Sequence, residues 1–331
     1  MNPRRQVLSS VRPSESTHAG LWLDRYLADD GDGGRPATIR DACKASIPNG
    51  YTEAFQRRES SFAGSGTTLS FQATTTGRLV IGLGSKNVLE MGIHLDHTWG
   101  MPVLPGSALK GLASRTAHLG LGESWKRMAN ASSDDAGEHQ AFLFGTTSRS
   151  GAVIFHDAWW KPEPKASFPL ELDVMTVHHR EYYQRPENPE PPTDFDSPNP
   201  VSFATTYGTF HFVLETMRPD IDVQWLEVAR EILTRGLETE GLGAKTNAGY
   251  GRFAAVAKPA GPPKQTGPLD VTSLIKAVNK GNAATAVPDL LKKVNGPDRR
   301  ALAIALLNAL DKKWLKGRGQ PWADELLEAA T

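Results

Sequence analysis

Apolar and polar residues alternate along this chain with two different periods, and the changes between them mark its elements. From Thr68, the stretch TLSFQATTTGRLVIGLG places Leu69, Phe71 and Ala73 at every second position, then closes the apolar run Leu79-Val80-Ile81 with Gly82 and Gly84, which predicts a strand. Similar runs predict strands at 151–160, 170–175, 203–215 and 250–257. Two stretches keep the helical period instead. One starts at Leu104-Pro105-Gly106-Ser107, with Ser107 placed to cap exposed N–H groups and Leu109, Leu112, Ala113 and Thr116 on one stripe. Its other side carries Lys110, Ser114 and His118 in a row with Arg115 alongside, which predicts a basic face. The second runs from Asp220 or Asp222 to about Leu237, with Leu226, Ala229 and Leu233 aligned and Gly236 or Gly241 to end it.

The order strand, helix, strands, helix, strand predicts an α+β fold with a ferredoxin-like (RRM-like) core, in which helices cover one face of an antiparallel sheet and leave the other free for a ligand. The core is expected over residues 67–257. Residues 1–66 read as an N-terminal extension, because short apolar pieces such as Leu21-Trp22-Leu23 alternate with runs such as DDGDGGRP (29–36), a composition that sustains neither helix nor strand. Residues 258–331 read as a linker, KPAGPPKQTGP, and a helical C-terminal tail, whose clearest helix spans 297–315 with Leu302, Ala305, Leu306, Ala309 and Leu310 on one side. Inside the core, 184–200 is too proline-rich for regular structure and predicts a long, exposed and partly mobile loop insertion.

Charge narrows the function classes. Lys plus Arg and Asp plus Glu number 37 each in 331 residues, so the chain lacks the bulk positive charge of many free nucleic-acid binders and any such site must be a local groove. The single cysteine, Cys43, leaves no internal disulfide framework or multi-cysteine zinc site and fits a reducing cytoplasm. Met1-Asn2-Pro3-Arg4-Arg5 is basic, but no apolar run follows it, and no stretch approaches the roughly 20 apolar residues of a membrane span. A cytoplasmic protein without a membrane partner is expected.

The densest chemical signal is GLGAKTNAGYGRF, residues 241–253. Gly241, Gly243, Gly249 and Gly251 fall between a helix and a strand, where they permit positive φ and close backbone approach, so that N–H groups can converge on a phosphate. Lys245 and Arg252 add charge, and Asn247 and Tyr250 add polar and stacking groups. A helix cap joined to a turn explains one or two of these glycines. A nucleotide cofactor is not expected: Ala244 precedes Lys245 where a Walker loop needs glycine, and a helix precedes the loop where Walker and Rossmann motifs need a strand. His94, Asp96 and His97 lack a further ligand, so no metal is expected. His178, His179, Arg180, Tyr182 and Tyr183 form a cluster able to run acid–base cleavage of RNA or to stack on bases, and stacking is the expected role. His156-Asp157 reads as a strand end whose carboxylate satisfies a turn, and Asp194 and Asp196 read as solvated. No catalytic set is expected.

Two motifs then support each other. GLGAKTNAGYGRF resembles the glycine-rich loop near the end of the RAMP superfamily core, and Pro105-Gly106-Ser107-Ala108-Leu109-Lys110-Gly111 resembles that superfamily's helix start. NVLEMGIHLDHTWGMPVLPGSALKGLASRTA, Leu172 to His179 with Tyr182-Tyr183, and 198–203 are similar to the sixth-subunit family of the Cmr module, a backbone-type RAMP of type III-B CRISPR effectors. The likeness covers about 68–257. It departs at Ala113-Ser114-Arg115, where the basic residue is shifted, and at Val177, where a proline is common. It implies a non-catalytic RNA-binding subunit without cofactors, whose partners are guide crRNA near its 3′ end, target RNA and other RAMP subunits of a Cmr-type complex. The RNA-binding residues implied are Gly106, Ser107, Lys110, Arg115, His178, Arg180, Tyr182, Gly241, Gly243, Lys245, Asn247, Gly249, Tyr250 and Arg252. The alternative is a metal-independent RAMP endoribonuclease that processes repeat RNA, with His178 or His179 as acid or base and Lys245 stabilising phosphate charge.

Overall fold

Strand β7 (Thr209–Thr216) organises the fold because seven of its eight residues are buried, so it must be covered on both faces. In the computed structural model, which describes residues 3–14, 16–29, 31, 33–127, 136–163, 168–184, 187, 191–255, 278, 283–292, 297–310, 322–323 and 326, β7 pairs antiparallel along its length with β1 (Thr68–Thr74). On its other edge it takes β3 (Val153–Phe155) and then β4 (Ala158–Trp160), and β4 also pairs with the short β2 (Val103–Leu104). Phe155 opposes Leu214 while Trp159 opposes His211, so four residues on one strand match three on the other. The predicted strand over 151–160 is therefore two strands joined by a one-residue bulge at His156-Asp157.

Helices α5 (Gly106–Gly120) and α8 (Gln224–Thr239) lie side by side against the face carrying Phe71, Phe210, Phe212 and Leu214. Phe71 stacks on Phe212 with ring centroids 4.9 Å apart. Both helices fall within a few residues of their predicted spans. The opposite face is not free, contrary to expectation. Helix α4 (Tyr51–Phe62), from the segment read as an extension, covers it: Tyr51 stacks on Trp159, Phe55 packs edge-on to His211 at 5.7 Å, and the Arg58 guanidinium sits 5.0 Å from the Trp159 ring centroid. Trp159, His211 and Gln72 share one side of the sheet by register, and the cover of that side explains why the burial of β7 does not alternate.

The rest of the N-terminal segment is also helical, as α1 (Pro3–Leu8), α2 (Ala19–Arg25) and α3 (Gly34–Ala42). Helix α3 starts inside the run expected to exclude helix. Gly34, Arg35 and Pro36 form its first turn, where proline's missing N–H costs nothing. Helices α2 and α3 pack with Leu89, Ala204 and each other against a second sheet, a hairpin of β5 (Leu170–Val177) and β6 (Asn199–Thr206). The strand predicted over 203–215 is thus divided at Tyr207-Gly208, and β6 begins inside the proline-rich run. Short helices α6 (Glu138–Phe144) and α7 (Arg180–Gln184) were not predicted. Leu79 makes a bridge to Thr206, and the described residues 250–255 of the predicted 250–257 strand make a bridge between Phe253 and Thr75; positions 256–257 lie outside the described residues.

The chain divides into two compact units, Met1–Val256 and Ala257–Thr331. In the second, α9 (Ala283–Lys292) and α10 (Pro297–Leu310) bury Val287, Leu291, Leu302, Leu306 and Leu310 together with Trp322 and Leu326. Positions 311–315 of the predicted tail helix lie outside the described residues. Among the described residues, no helix is long and apolar enough to cross a membrane.

Candidate nucleic-acid interface

All four glycines of the 241–251 loop have positive φ, from +70° to +94°, and Lys245 joins them at +59°. Gly241 closes α8, its N–H reaching back to the Gly236 carbonyl at 3.0 Å, as the cap reading allows. The others need more than a cap. A Cβ on Gly243 would stand 2.3 Å from the Val80 carbonyl oxygen, and one on Gly251 would stand 1.9 Å from that of Leu242. The loop lies this close because Ala244 N–H donates to Val80 O and Gly251 N–H to Arg78 O, both at 2.8 Å. Those bonds consume two of the donors that sequence reasoning reserved for a phosphate. Among the described residues, the N–H groups of Gly243, Lys245 and Asn247 make no hydrogen bond.

The loop's side chains face in different directions. Tyr250 donates its hydroxyl to Asp173 Oδ2 on β5 at 2.6 Å, and Lys245 Nζ stands 5.8 Å from the Phe203 ring centroid on β6. Arg252 turns back onto α8 and donates Nη1 to the Glu238 and Thr239 carbonyls, so its charge serves the helix C-terminus.

Helix α5 differs from its predicted role in two ways. Ser107 does not cap it: the N-cap is Pro105, without a side-chain bond, and the Gly106 N–H donates to Asp157 Oδ1 at 2.7 Å. The bulge between β3 and β4 aims that carboxylate, and Gly106 is obligatory because a Cβ there would stand 1.9 Å from the Phe155 oxygen. The helix N-terminus therefore already holds an anion supplied by the protein. Further along, the expected open row of Lys110, Ser114 and His118 is covered. Arg127, which sequence reasoning missed, donates Nε to Ser114 Oγ at 2.9 Å, Nη2 to Gly111 O at 2.9 Å and its N–H to His118 Nδ1 at 3.0 Å. Ser114, buried, also accepts from Gln140 Nε2 at 2.6 Å. Ser107 and Arg115 remain exposed, and Lys110 has no hydrogen bond or ion pair among the described residues.

Between α5, the 81–85 segment and the glycine loop runs an open groove. Gly82, Gly84, Gly111, Gly241 and Gly243 contribute to its lining, with Arg115 on the rim. It unites the helix motif with the glycine motif.

The aromatic and histidine cluster lies elsewhere, at the far end of the β5–β6 hairpin. His179 Nδ1 pairs with Asp196 Oδ2 at 2.8 Å; the His179 and Thr193 hydrogen bonds hold the Asp196 carboxyl below its ordinary value. Asp196 is thus a partner of His179, where a solvated side chain was expected. His178 and Arg180 are exposed, and Tyr182 and Tyr183 pack edge to face and expose 41% and 70% of their surface. Lys245 and Tyr250 meet the hairpin at the Asp173–Phe203 pair, and His178 lies five residues beyond Asp173, about 17 Å along an extended strand. His178 and Lys245 therefore cannot act on one phosphate in this arrangement. Asp96 accepts from the Thr98 and Trp99 N–H groups, a turn that occupies the carboxylate between His94 and His97.

Comparison with known proteins identifies the family. The family description "RAMP superfamily" matches residues 72–254. The chain is 31% identical over 224 residues to CRISPR system Cmr subunit Cmr6 of Pyrococcus furiosus, covering 54% of this chain and 65% of that protein. It is 26% identical over 191 residues to Cmr6 of Saccharolobus solfataricus, covering 56% and 57%. The chain thus matches less than two thirds of the length of either relative. A chain in the cryo-EM structure of the type III-B Cmr-beta complex bound to cognate target RNA superposes with a TM-score of 0.50 at 22% identity, over 68% of this chain and 71% of that one, a likeness of fold. The crystal structure of Pyrococcus furiosus Cmr6 aligns with a TM-score of 0.35 at 27% identity, over 57% and 97%.

Proposed function

This chain belongs to the RAMP superfamily, and from that footing we propose that it is a non-catalytic RNA-binding subunit of a type III-B CRISPR effector. In this reading it assembles with other RAMP subunits in the cytoplasm and contacts guide crRNA near its 3′ end and the guide–target duplex. Its similarity to two Cmr6 proteins, and to a chain from a Cmr complex bound to target RNA, supports the assignment.

The observation that carries the RNA contact is the glycine-lined groove with Arg115 on its rim, open beside the unpaired N–H groups of Gly243 and Lys245. The glycines in its lining let a sugar–phosphate backbone approach the main chain, and Lys245, Asn247 and Lys110 supply charge and hydrogen bonds around it. Gly106, Gly241, Gly249 and Arg252 contribute by holding the shape; His178, Arg180 and Tyr182 offer a second, distant contact for bases at the hairpin end. The contact is assigned to the groove, not to the sheet face under α4.

A ferredoxin-like core over 67–257, flanked by 1–66 and 258–331, fits this reading. The reading is supported by the position of β7 between β1 and β3/β4 and by the bridge from Phe253 to Thr75 beside β1, a spatial order compatible with a split βαβ core.

The test uses the full chain and unstructured RNA. It should bind RNA without cutting it, with or without Mg²⁺, and Lys110→Ala and Lys245→Ala should weaken binding uniformly across sequences. Specific cleavage of repeat RNA in EDTA, lost in His178→Ala, would establish the endoribonuclease reading instead.

A further inference from the structure

We infer that a phosphodiester of single-stranded RNA is gripped midway along α5, by Arg127 beside Arg115, a site that deepens the RNA-binding reading and rests on it. The position follows from what the protein has already satisfied. At the start of α5 the Asp157 carboxylate takes the Gly106 N–H, and a phosphate there would meet like charge. Seven residues on, the situation reverses. Arg127 is drawn onto the helix by three bonds, to Gly111 O, Ser114 Oγ and His118 Nδ1, and none of these acceptors is a carboxylate.

Two features leave this cation without a counter-charge among the described residues. Arg127 is bonded to Ser114, the residue before Arg115, and to Gly111 one turn earlier; burial, and then the charge of Arg115, lower its pKa. Among the described residues, the carboxylate contact of this pair is Arg115 Nε to Glu240 Oε2 at 3.9 Å, long for a charge-assisted bond. Arg127 has no ion pair among the described residues, and its Nη1 N–H groups have no partner there. A like-charged pair with one member locked in orientation is an anion site, and the planar guanidinium fork matches two phosphate oxygens. The groove decides which anion: Arg115 and Gly111 line it together with the glycine loop, so an anion at Arg127 continues a chain lying on the glycine floor. Ser114 is the positioning residue, since it fixes Nε while its other contact, Gln140, ties it to α6.

The experiment measures binding of the full chain to a fluorescent oligouridine across a salt series, alongside thermal melts. Arg127→Gln should weaken binding about ten-fold and reduce the slope of log Kd against log salt by about 0.7, the loss of one single-strand phosphate contact. Arg127→Lys should keep the slope and lose part of the affinity, because the charge remains and the fork does not. Ser114→Ala should weaken binding less than Arg127→Gln with the slope kept. If Arg127→Gln binds like the parent while Lys245→Ala is weakened, this site is wrong and the RNA-binding function stands. Arg127→Gln that melts lower and binds weakly with an unchanged salt slope would make Arg127 a brace for α5 and overturn the site as well. A parent chain that binds no RNA removes both.

Discussion

Tyr250 and Asp173 meet through a single short hydrogen bond, hydroxyl to Oδ2 at 2.6 Å, and the same carboxylate oxygen takes Arg78 Nη1 at 2.8 Å. One carboxylate therefore joins the glycine loop, the 78–81 segment and the base of the long hairpin. Burial pushes the Asp173 carboxyl up, but the Tyr250 hydroxyl, the Val174 N–H and Arg78 together hold it below its ordinary value. Its depressed pKa makes the contribution present above the unfolded carboxylate range, near pH 4, and lost as pH falls through the folded value. Asp173→Asn should flatten the loss of stability between about pH 5 and 3, and Tyr250→Phe should cost about 1 kcal/mol at neutral pH. Urea midpoints across that range check both; a parent and an Asp173→Asn variant with parallel acid profiles would refute the linkage.

The loop glycines should separate into two classes on substitution. Gly249 has φ of +91° with open space around its Cβ position, so Gly249→Ala should cost only backbone strain, about 1 kcal/mol. Gly243→Ala must also displace the Val80 carbonyl from 2.3 Å, and should lower the melting temperature further and reduce RNA binding. Equal melts for the two variants would mean that the loop does not need its close approach to 78–81.

His211 sets a second pH dependence, of the same sign and in a higher window. It is buried under α4, and burial, then Arg58, lowers its pKa below 6.5; Lys161 adds to this and Glu59 opposes it. The unfolded chain binds the proton more readily, so stability is full above about pH 7 and declines as pH falls through 6.5 toward the folded value. His211→Phe should flatten the urea midpoint between pH 7.5 and 5.5 relative to the parent. An identical decline in both proteins would show that His211 does not titrate there.

Helix α4 should behave as core. Phe55→Ala empties the contact with His211 on a buried face and should cost about 3 kcal/mol by urea denaturation. A loss under 1 kcal/mol would mean that α4 can leave the sheet.

What the sequence disclosed and what it hid divide along contact range. Helices α5 and α8 and the conformational demand at 241–251 were legible because periodicity and glycine torsions are local properties. The cover of the sheet's second face was not: α4 reads as a polar helix with Tyr51 and Phe55 too sparse to announce a partner, and Phe55 meets a histidine 156 residues away. Ser107 looked like the cap because a hydroxyl stood at the right offset, whereas the actual acceptor, Asp157, is 51 residues away. Arg127 gave no signal, since its role depends on a chain reversal that lays 126–127 along α5. Arg252 was visible as a charge but not as one spent on α8.

The bulge at His156-Asp157 makes chain length a coded quantity on this edge of the sheet. Residues such as His and Asp beside a strand end invite the expectation that insertions and deletions pass unnoticed there. Removing one residue would restore an unbroken ladder with Trp159 still opposite His211, so β4 would keep its sides while the extra residue that re-aims the chain just before it is lost. The carboxylate that now tethers α5 would lose the kink that directs it to the Gly106 N–H. At this point the docking of α5 depends on the number of residues between β3 and β4, and a substitution at His156 is a smaller perturbation than a deletion.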